Sequence, residues 1–394
     1  MINKKMYELG VKPSAIRTLF EYGKKRKQEI GEENVFDFSL GNPSVPAPTI
    51  VNETLVQLIN TMKPEQLHGY TSAVGDNNVR EKISQYLRSK YNCNVQSNLI
   101  YMTAGAAASL TISLNAILNE GEEVIVLTPY FPEYKVFIEK AGCKVVEVKT
   151  NDLFKPDLNL LDKAINKNTK AIIINYPNNP TGVVLNKKEL SLLCDLLNKK
   201  QQEFQSNIYL ISDEPYRELV YIEEEIPFVS NYYNNTIICY SFSKSLSLPG
   251  ERIGYILVSP NCFNCNDVFY AICGAGRSLG FVCAPALFQY MIPNCLGYTS
   301  DINVYKENRD ILYNALTSYG YDVIKPEGAF YIFMKALGND AIEFCEYAKK
   351  YELLLVPSDS FGCKGYVRIS YCVSQEMIKK SLNSFKKLID NYKE

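Results

Sequence analysis

Between Ile100 and Ser259 the chain alternates short β-branched runs with helical stretches, and this alternation limits the fold more than any other feature. IYMTAG ends at Gly105, and AAASLTISLNAIL follows it with helical spacing. EEVIVLTP, CKVVEVK, KAIIINYP, NIYLISDEP, TIICYSFSK and RIGYILVS bring the candidate strands to seven, with FPEYKVFIEKAG, LNLLDKAI and KKELSLLCDLLNKKQQEF as intervening helices. Continuous apolar strands separated by helices predict an α/β fold, with a mostly parallel sheet covered on both faces and right-handed crossovers. Ligands in such sheets sit beyond the carboxyl ends of the strands. Five unusual residues fall just there: Gly105, Phe131, Asn179, Asp213 and Lys244.

The flanking regions read differently. Residues 1–30 suggest one amphipathic helix, with the KKRK run as its solvated end. FDFSLGNPSVPAP is a short strand entering a Gly/Pro loop, and residues 49–61 return to helical spacing. A turn-rich loop then carries Tyr70, ahead of a helix from about Asn77. Beyond residue 285 the pattern changes, with helices over 301–318, 339–351 and 374–392 and strands near YDVI, AFYIFMK, LLLVPS and YVRIS. The expected organisation is a large domain over residues 45–288 and a smaller α/β domain built from 1–44 and 289–394.

Composition narrows the function. A net charge of −1 gives no electrostatic case for nucleic acid or an anionic membrane. No apolar run approaches the ~20 residues of a membrane span, and MINKKMYELG lacks a signal-peptide core, so a cytoplasmic protein is expected. The 12 cysteines follow no framework spacing and are expected to be reduced; the single CxxC at Cys262 and Cys265 is weak evidence for a metal, and none is expected. His68 is the only histidine, so acid–base work falls to lysine, tyrosine or carboxylates.

The stretch SFSKSLSLPGERIG, 241–254, sets Lys244 among serines, with Arg252 eight positions later beyond a Pro-Gly turn. A lysine amine can attack a cofactor aldehyde to form a Schiff base, while hydroxyls and a guanidinium hold a phosphate. The N–H groups of Gly105, Ala106 and Ala107, opening a helix directly after a strand, make an anion site that Ser241 and Arg252 would complete.

YPNNPTG (176–182), SDEPY (212–216) and SFSKSLSLPGERIG resemble, in order and spacing, the signature blocks of class I/II aminotransferases, and the similarity runs from about residue 12 to the C-terminus. These are pyridoxal-phosphate enzymes of fold type I. The resemblance implies that the seven-stranded domain binds pyridoxal 5'-phosphate and that Lys244 attaches it and shuttles the proton. Asp213 would face the ring nitrogen, Asn179 and Tyr216 the ring oxygen, and Phe131 the ring face, with Tyr134 behind Asp213. Arg368 in YVRIS and Gly41 in SLGNPS would bind the substrate carboxylate, and Tyr331 would line the pocket. Tyr70 would reach the cofactor phosphate of the partner in a homodimer. The implied activity is amino transfer from an L-amino acid, of aspartate or aromatic type, to a 2-oxo acid; a carbon–sulfur β-lyase or other amino-acid lyase is the alternative on this fold.

The chain also departs from the family. Ala107 stands where acid-selective members place a basic residue, Ala284-Pro285 replaces the usual Asn-Pro, and Arg277 matches no family position cleanly, with a surface or interface role equally open.

Overall fold

The computed structural model describes residues 2–11, 14–338 and 340–392. In chain order it begins with α1 (Lys4–Val11), α2 (Ala15–Ile30) and β1 (Phe36–Asp37). Helices α3 (Thr49–Thr61), α4 (Pro64–Leu67) and α5 (Asn77–Tyr91) follow. The alternating region is β2 (Ile100–Thr103), α6 (Ala106–Ile117), β3 (Glu123–Thr128), α7 (Glu133–Lys140), β4 (Lys144–Lys149), α8 (Leu158–Ala164), β5 (Thr169–Ile174), α9 (Lys187–Phe204) and β6 (Tyr209–Asp213). It ends with β7 (Thr236–Ser241), the single turn α10 (Phe242–Ser245), β8 (Gly254–Val258), α11 (Cys265–Ser278) and α12 (Ala286–Cys295). Last come α13 (Ile302–Tyr319), β9 (Tyr331–Lys335), α14 (Ala341–Ala348), β10 (Leu353–Leu354), β11 (Val356–Pro357), β12 (Tyr366–Ser370) and α15 (Gln375–Asn391).

Two compact units form. The larger comprises Val45–Asn178 and Val183–Ile302, so residues 289–302 fall within it. The smaller comprises Met1–Ser44, Asn179–Gly182 and Asn303–Glu394.

In the larger unit all seven expected strands form one sheet, in the order β2-β8-β7-β6-β5-β3-β4. Only β8 runs antiparallel, against both β2 and β7. Strands β2, β3, β5, β6 and β7 therefore point the same way, and their carboxyl ends share one edge. Side chains alternate across the strands and feed two cores. Ile211, Ile237, Cys239 and Ile256 join one core with Tyr134. Ile238, Tyr240, Tyr255 and Leu257 join the other with Phe228. These strands are buried on both faces, which is why they lack polar alternation.

The smaller unit holds a three-stranded antiparallel sheet, β11-β12-β9, and the two-stranded parallel pair β1-β10. Several sequence expectations change here. The N-terminal stretch forms two helices, Lys4–Val11 and Ala15–Ile30, and residues 12–13 lie outside the described residues. KKRK is not simply a solvated end, because Arg26 pairs with Glu352 at 2.6 Å and Lys27 with Asp37 at 3.4 Å. YDVI makes only an isolated bridge, Val323 to Met334, with Pro326 close behind it. LLLVPS divides between two sheets: Leu353 pairs with Phe36, whereas Val356 pairs with Arg368.

Candidate active site

Asp213 ends β6 at the shared carboxyl edge and is only 5% exposed. The Tyr134 hydroxyl donates to its Oδ2 at 2.5 Å, so Tyr134 stands behind the carboxylate as expected. Asn175 donates to the Asp213 main-chain oxygen at 2.8 Å. The other carboxylate oxygen, Oδ1, is buried with no hydrogen-bond partner among the described residues. Burial pushes the Asp213 carboxyl up to about 7, against the opposing pull of the Tyr134 bond. Burial and the neighbouring Asp213 charge also hold the Tyr134 phenol well above its usual range. Phe131 packs edge-on against Tyr134, with centroids 5.7 Å apart. Tyr216 is buried in the turn after β6, where its carbonyl accepts from Leu219 N–H at 2.9 Å.

Lys244 lies in α10, immediately beyond β7, between buried Ser243 and Ser245. Register explains why the phosphate candidates meet there. Gly254 opposes both Thr103 of β2 and Ser241 of β7, so one glycine joins the two strand ends. A Cβ on Gly254 would stand 3.1 Å from the Gly105 Cα and 3.2 Å from the Ser241 Cα. Arg252, two residues earlier, donates to the Ser243 hydroxyl at 3.2 Å, the Pro249 carbonyl at 2.9 Å and the Ala104 carbonyl at 3.2 Å. The Ser241 and Ser243 hydroxyls are 2.8 Å apart.

Gly105 has φ of +85° and ψ of 176°, a conformation that only glycine adopts readily. A Cβ there would reach to 2.5 Å from Arg252 Nη2. Ala106 and Ala107 form the open first turn of α6. Among the described residues no carboxylate pairs with Arg252, which stands beside this helix start as a cation without a counter-charge.

These features fit a phosphorylated pyridine aldehyde. Small residues, hydroxyls, a guanidinium and a helix N-terminus suit the phosphate. The orphaned Asp213 Oδ1 suits a protonated ring nitrogen, and a lysine at a strand end suits the aldehyde.

Arg368 lies in β12 between Phe333 of β9 and Val356 of β11 and is only 2% exposed. Its Nη1 donates to Asn179 Oδ1 at 3.2 Å and its Nη2 to the Ser39 carbonyl at 2.6 Å. Ser39 is held in turn by Asp37, which accepts from its N–H at 3.1 Å and its hydroxyl at 2.6 Å. The guanidinium sits 4.7 Å from the Tyr331 ring centre and 5.2 Å from that of Phe361. Gly41 faces the Tyr331 hydroxyl so closely that any Cβ would overlap it. The smaller unit thus gathers Gly41, Asn179, Tyr331 and Arg368, whereas the larger gathers Gly105, Ala106, Ala107, Ser241, Lys244 and Arg252 in one group and Phe131 and Asp213 in another. The pairing of Asn179 with Arg368 is not foreseeable from the sequence.

Tyr70 is 89% exposed. Arg277 is exposed in the last turn of α11. Cys262 and Cys265 are free thiols, and burial pushes Cys262 up to about 12, far from a reactive thiolate. Sequence reasoning misses Ser39 and Ser243. For Ser243 a signal exists, the alternating serines of SFSKS; for Ser39 none does, because its contribution is a main-chain carbonyl.

A family model described as aminotransferase class I and II matches residues 33–385. An aspartate aminotransferase of Thermotoga maritima is 31% identical, over 91% of this chain and 92% of its own length. The solved structure of an amino transferase from Eubacterium rectale covers both chains completely at 52% identity and a TM-score of 0.98. The aspartate aminotransferase of Thermus thermophilus, solved with maleate, aligns at 27% identity and a TM-score of 0.87 over 98% of this chain and 99% of its own.

Proposed function

We infer the reaction in detail from one premise: the chain belongs to the class I and II aminotransferases. It is a fold type I, pyridoxal-phosphate-dependent enzyme that transfers an amino group to a 2-oxo acid, and the lyase alternative is not favoured. When bound, the cofactor supplies a ring that withdraws electrons from the amino acid's α-carbon.

We assign the remaining roles to this chain's own residues. Lys244 would hold the cofactor through its amine and, when free, would move the proton at the substrate α-carbon. Asp213 would keep the ring nitrogen protonated through Oδ1, while Tyr134 fixes Oδ2; the unpartnered buried oxygen supports this reading. Phe131 would meet the ring face, and Tyr216 and Asn179 would hold the ring oxygen. Gly105, Ala106, Ala107, Ser241 and Arg252 hold the phosphate, with Ser243 fixing the Arg252 fork. Arg368 binds the substrate α-carboxylate with Gly41 beside it, and Tyr331 shapes that pocket. The Arg368 fork is already aligned by Asn179 and Ser39, so little order is lost on binding.

We assign aspartate as the preferred donor, because the Thermotoga and Thermus relatives carry that name and the latter was solved with maleate, a dicarboxylate. The working form is a homodimer in which Tyr70 of one chain reaches the phosphate of the other; its near-complete exposure supports that role. A cysteine-rich chain with no framework spacing suits a reducing cytoplasm, and among the described residues no helix is long and apolar enough to cross a membrane.

The observation that carries the reading is Lys244 in the turn after β7, within the same sheet edge as Asp213. The test is Lys244→Ala, assayed with a panel of amino acids against 2-oxoglutarate and pyruvate. The variant is expected to lose both the visible cofactor band and transamination, and the wild type to turn over aspartate fastest. Retention of both by the variant would sink the lysine assignment, and a wild type indifferent to aspartate would sink the donor.

A further inference from the structure

On the far side of the sheet from the Asp213 carboxylate lies a second polar cluster. Because strand side chains alternate, Ser212 and Glu214 face the core of Tyr240 and Tyr255, opposite to Asp213. The Ser212 hydroxyl donates to Glu214 Oε1 at 2.7 Å. Glu214 also forms a buried ion pair with Arg217, whose Nε and Nη2 both meet Oε2. The guanidinium is boxed by aromatic rings, with centres at 4.9 Å for Tyr240, 5.0 Å for Phe228 and 5.4 Å for Tyr91. Arg217 Nη1 reaches the Tyr255 hydroxyl at 3.4 Å.

The cluster continues towards the lysine. Tyr240 and Tyr255 are stacked, with centres 4.9 Å apart. The Tyr240 hydroxyl donates to Glu218 Oε2 at 3.0 Å and lies 3.0 Å from the Ser245 hydroxyl. Ser245 adjoins Lys244 in α10. One buried network therefore holds the strand end that carries Asp213, through Ser212 and Glu214, and the turn that carries Lys244, through Tyr240 and Ser245.

We propose that Arg217 is a positioning residue that fixes Asp213 and Lys244 relative to each other from behind the sheet. A planar guanidinium suits this position, because it pairs with Glu214 along its edge while its faces meet aromatic rings. The inference rests on the assignment of Asp213 and Lys244 to the cofactor.

Tyr240→Phe is the main test. It removes the only side-chain hydrogen bond from this network to Ser245 among the described residues and preserves the ring packing. Small displacements of catalytic groups are costly. The variant, loaded with pyridoxal phosphate, is expected to move the pH midpoint of its visible absorption band by about half a unit. Its apoprotein is expected to bind the cofactor about fivefold more weakly, with kcat falling about tenfold and KM changing less than about twofold. Arg217→Lys keeps the charge beside Glu214 but loses the fork, and should move the midpoint with the same sign as Tyr240→Phe does. An unchanged midpoint and cofactor affinity in Tyr240→Phe overturn the proposal, whether or not Arg217→Lys folds. Lys244→Ala, run alongside, separates the two readings. If it keeps the band, the assignment of Lys244 itself fails; if it loses the band while Tyr240→Phe matches the wild type, only the role of Arg217 fails.

Discussion

Asp213 illustrates how one residue acquires its properties from its surroundings. Its carboxyl is buried, bonded once by Tyr134, and pushed up from 3.8 to about 7. A carboxyl whose folded value is raised favours the folded chain most at low pH, and that contribution is lost as pH rises through the window from about 4 to about 7. The cofactor-free protein should therefore lose on the order of 3 kcal/mol between pH 5 and pH 8 relative to Asp213→Asn, which has no carboxyl to ionise. Urea unfolding of both apoproteins across that range measures this; parallel stability curves would refute it. A protonated ring nitrogen at Oδ1 would reverse the balance by favouring the carboxylate, and the burial that weakens the empty protein would then strengthen its hold on a cation. The Asp213 position was legible from its place at a strand end and the SDEPY block. The role of Arg217, four residues on, was not: a charged residue reads as surface until Tyr91, Phe228, Tyr240 and Tyr255, from distant segments, enclose it.

At the scale of elements, the decisive junction is the start of α6 against the ends of β2 and β7. Gly105 turns the chain from strand to helix in a conformation closed to other residues, with the Arg252 guanidinium where a side chain would go. Gly105→Ala should cost about 1–3 kcal/mol in stability through backbone strain alone. It should also weaken pyridoxal phosphate binding about tenfold, because Arg252 must move from its acceptors. Thermal unfolding and cofactor titration of the apoprotein measure the two effects; a variant that binds cofactor normally would remove Gly105 from the phosphate site. All seven large-sheet strands were readable as β-branched runs. Their order was not, and neither was the antiparallel course of β8, because partner choice depends on contacts far apart in sequence. The same cause divides LLLVPS: its two halves pair with β1 and β12, which come from distant parts of the chain.

For the whole molecule, the single chain leaves Tyr70, Tyr270 and Val282 largely exposed. Sedimentation should report twice the chain mass of 44.7 kDa. If Tyr70 serves the partner's site, mixing Lys244→Ala chains with Tyr70→Phe chains should yield hybrids with one wild-type site and more activity than either parent. No gain on mixing would place each site within one chain.

Local signals were enough to point to a Schiff-base lysine and to the seven strands of the larger sheet: β-branched runs, glycine turns, and a lysine among serines beyond a strand can all be read from neighbouring residues, whereas the helix over Cys265–Ser278 was not foreseen. Which polar groups share an environment emerged only from the packed chain. Asn179 on Arg368 and the aromatic box around Arg217 each join segments separated in the chain. Burial and pairing are collective properties of the folded molecule, and no local pattern encodes them.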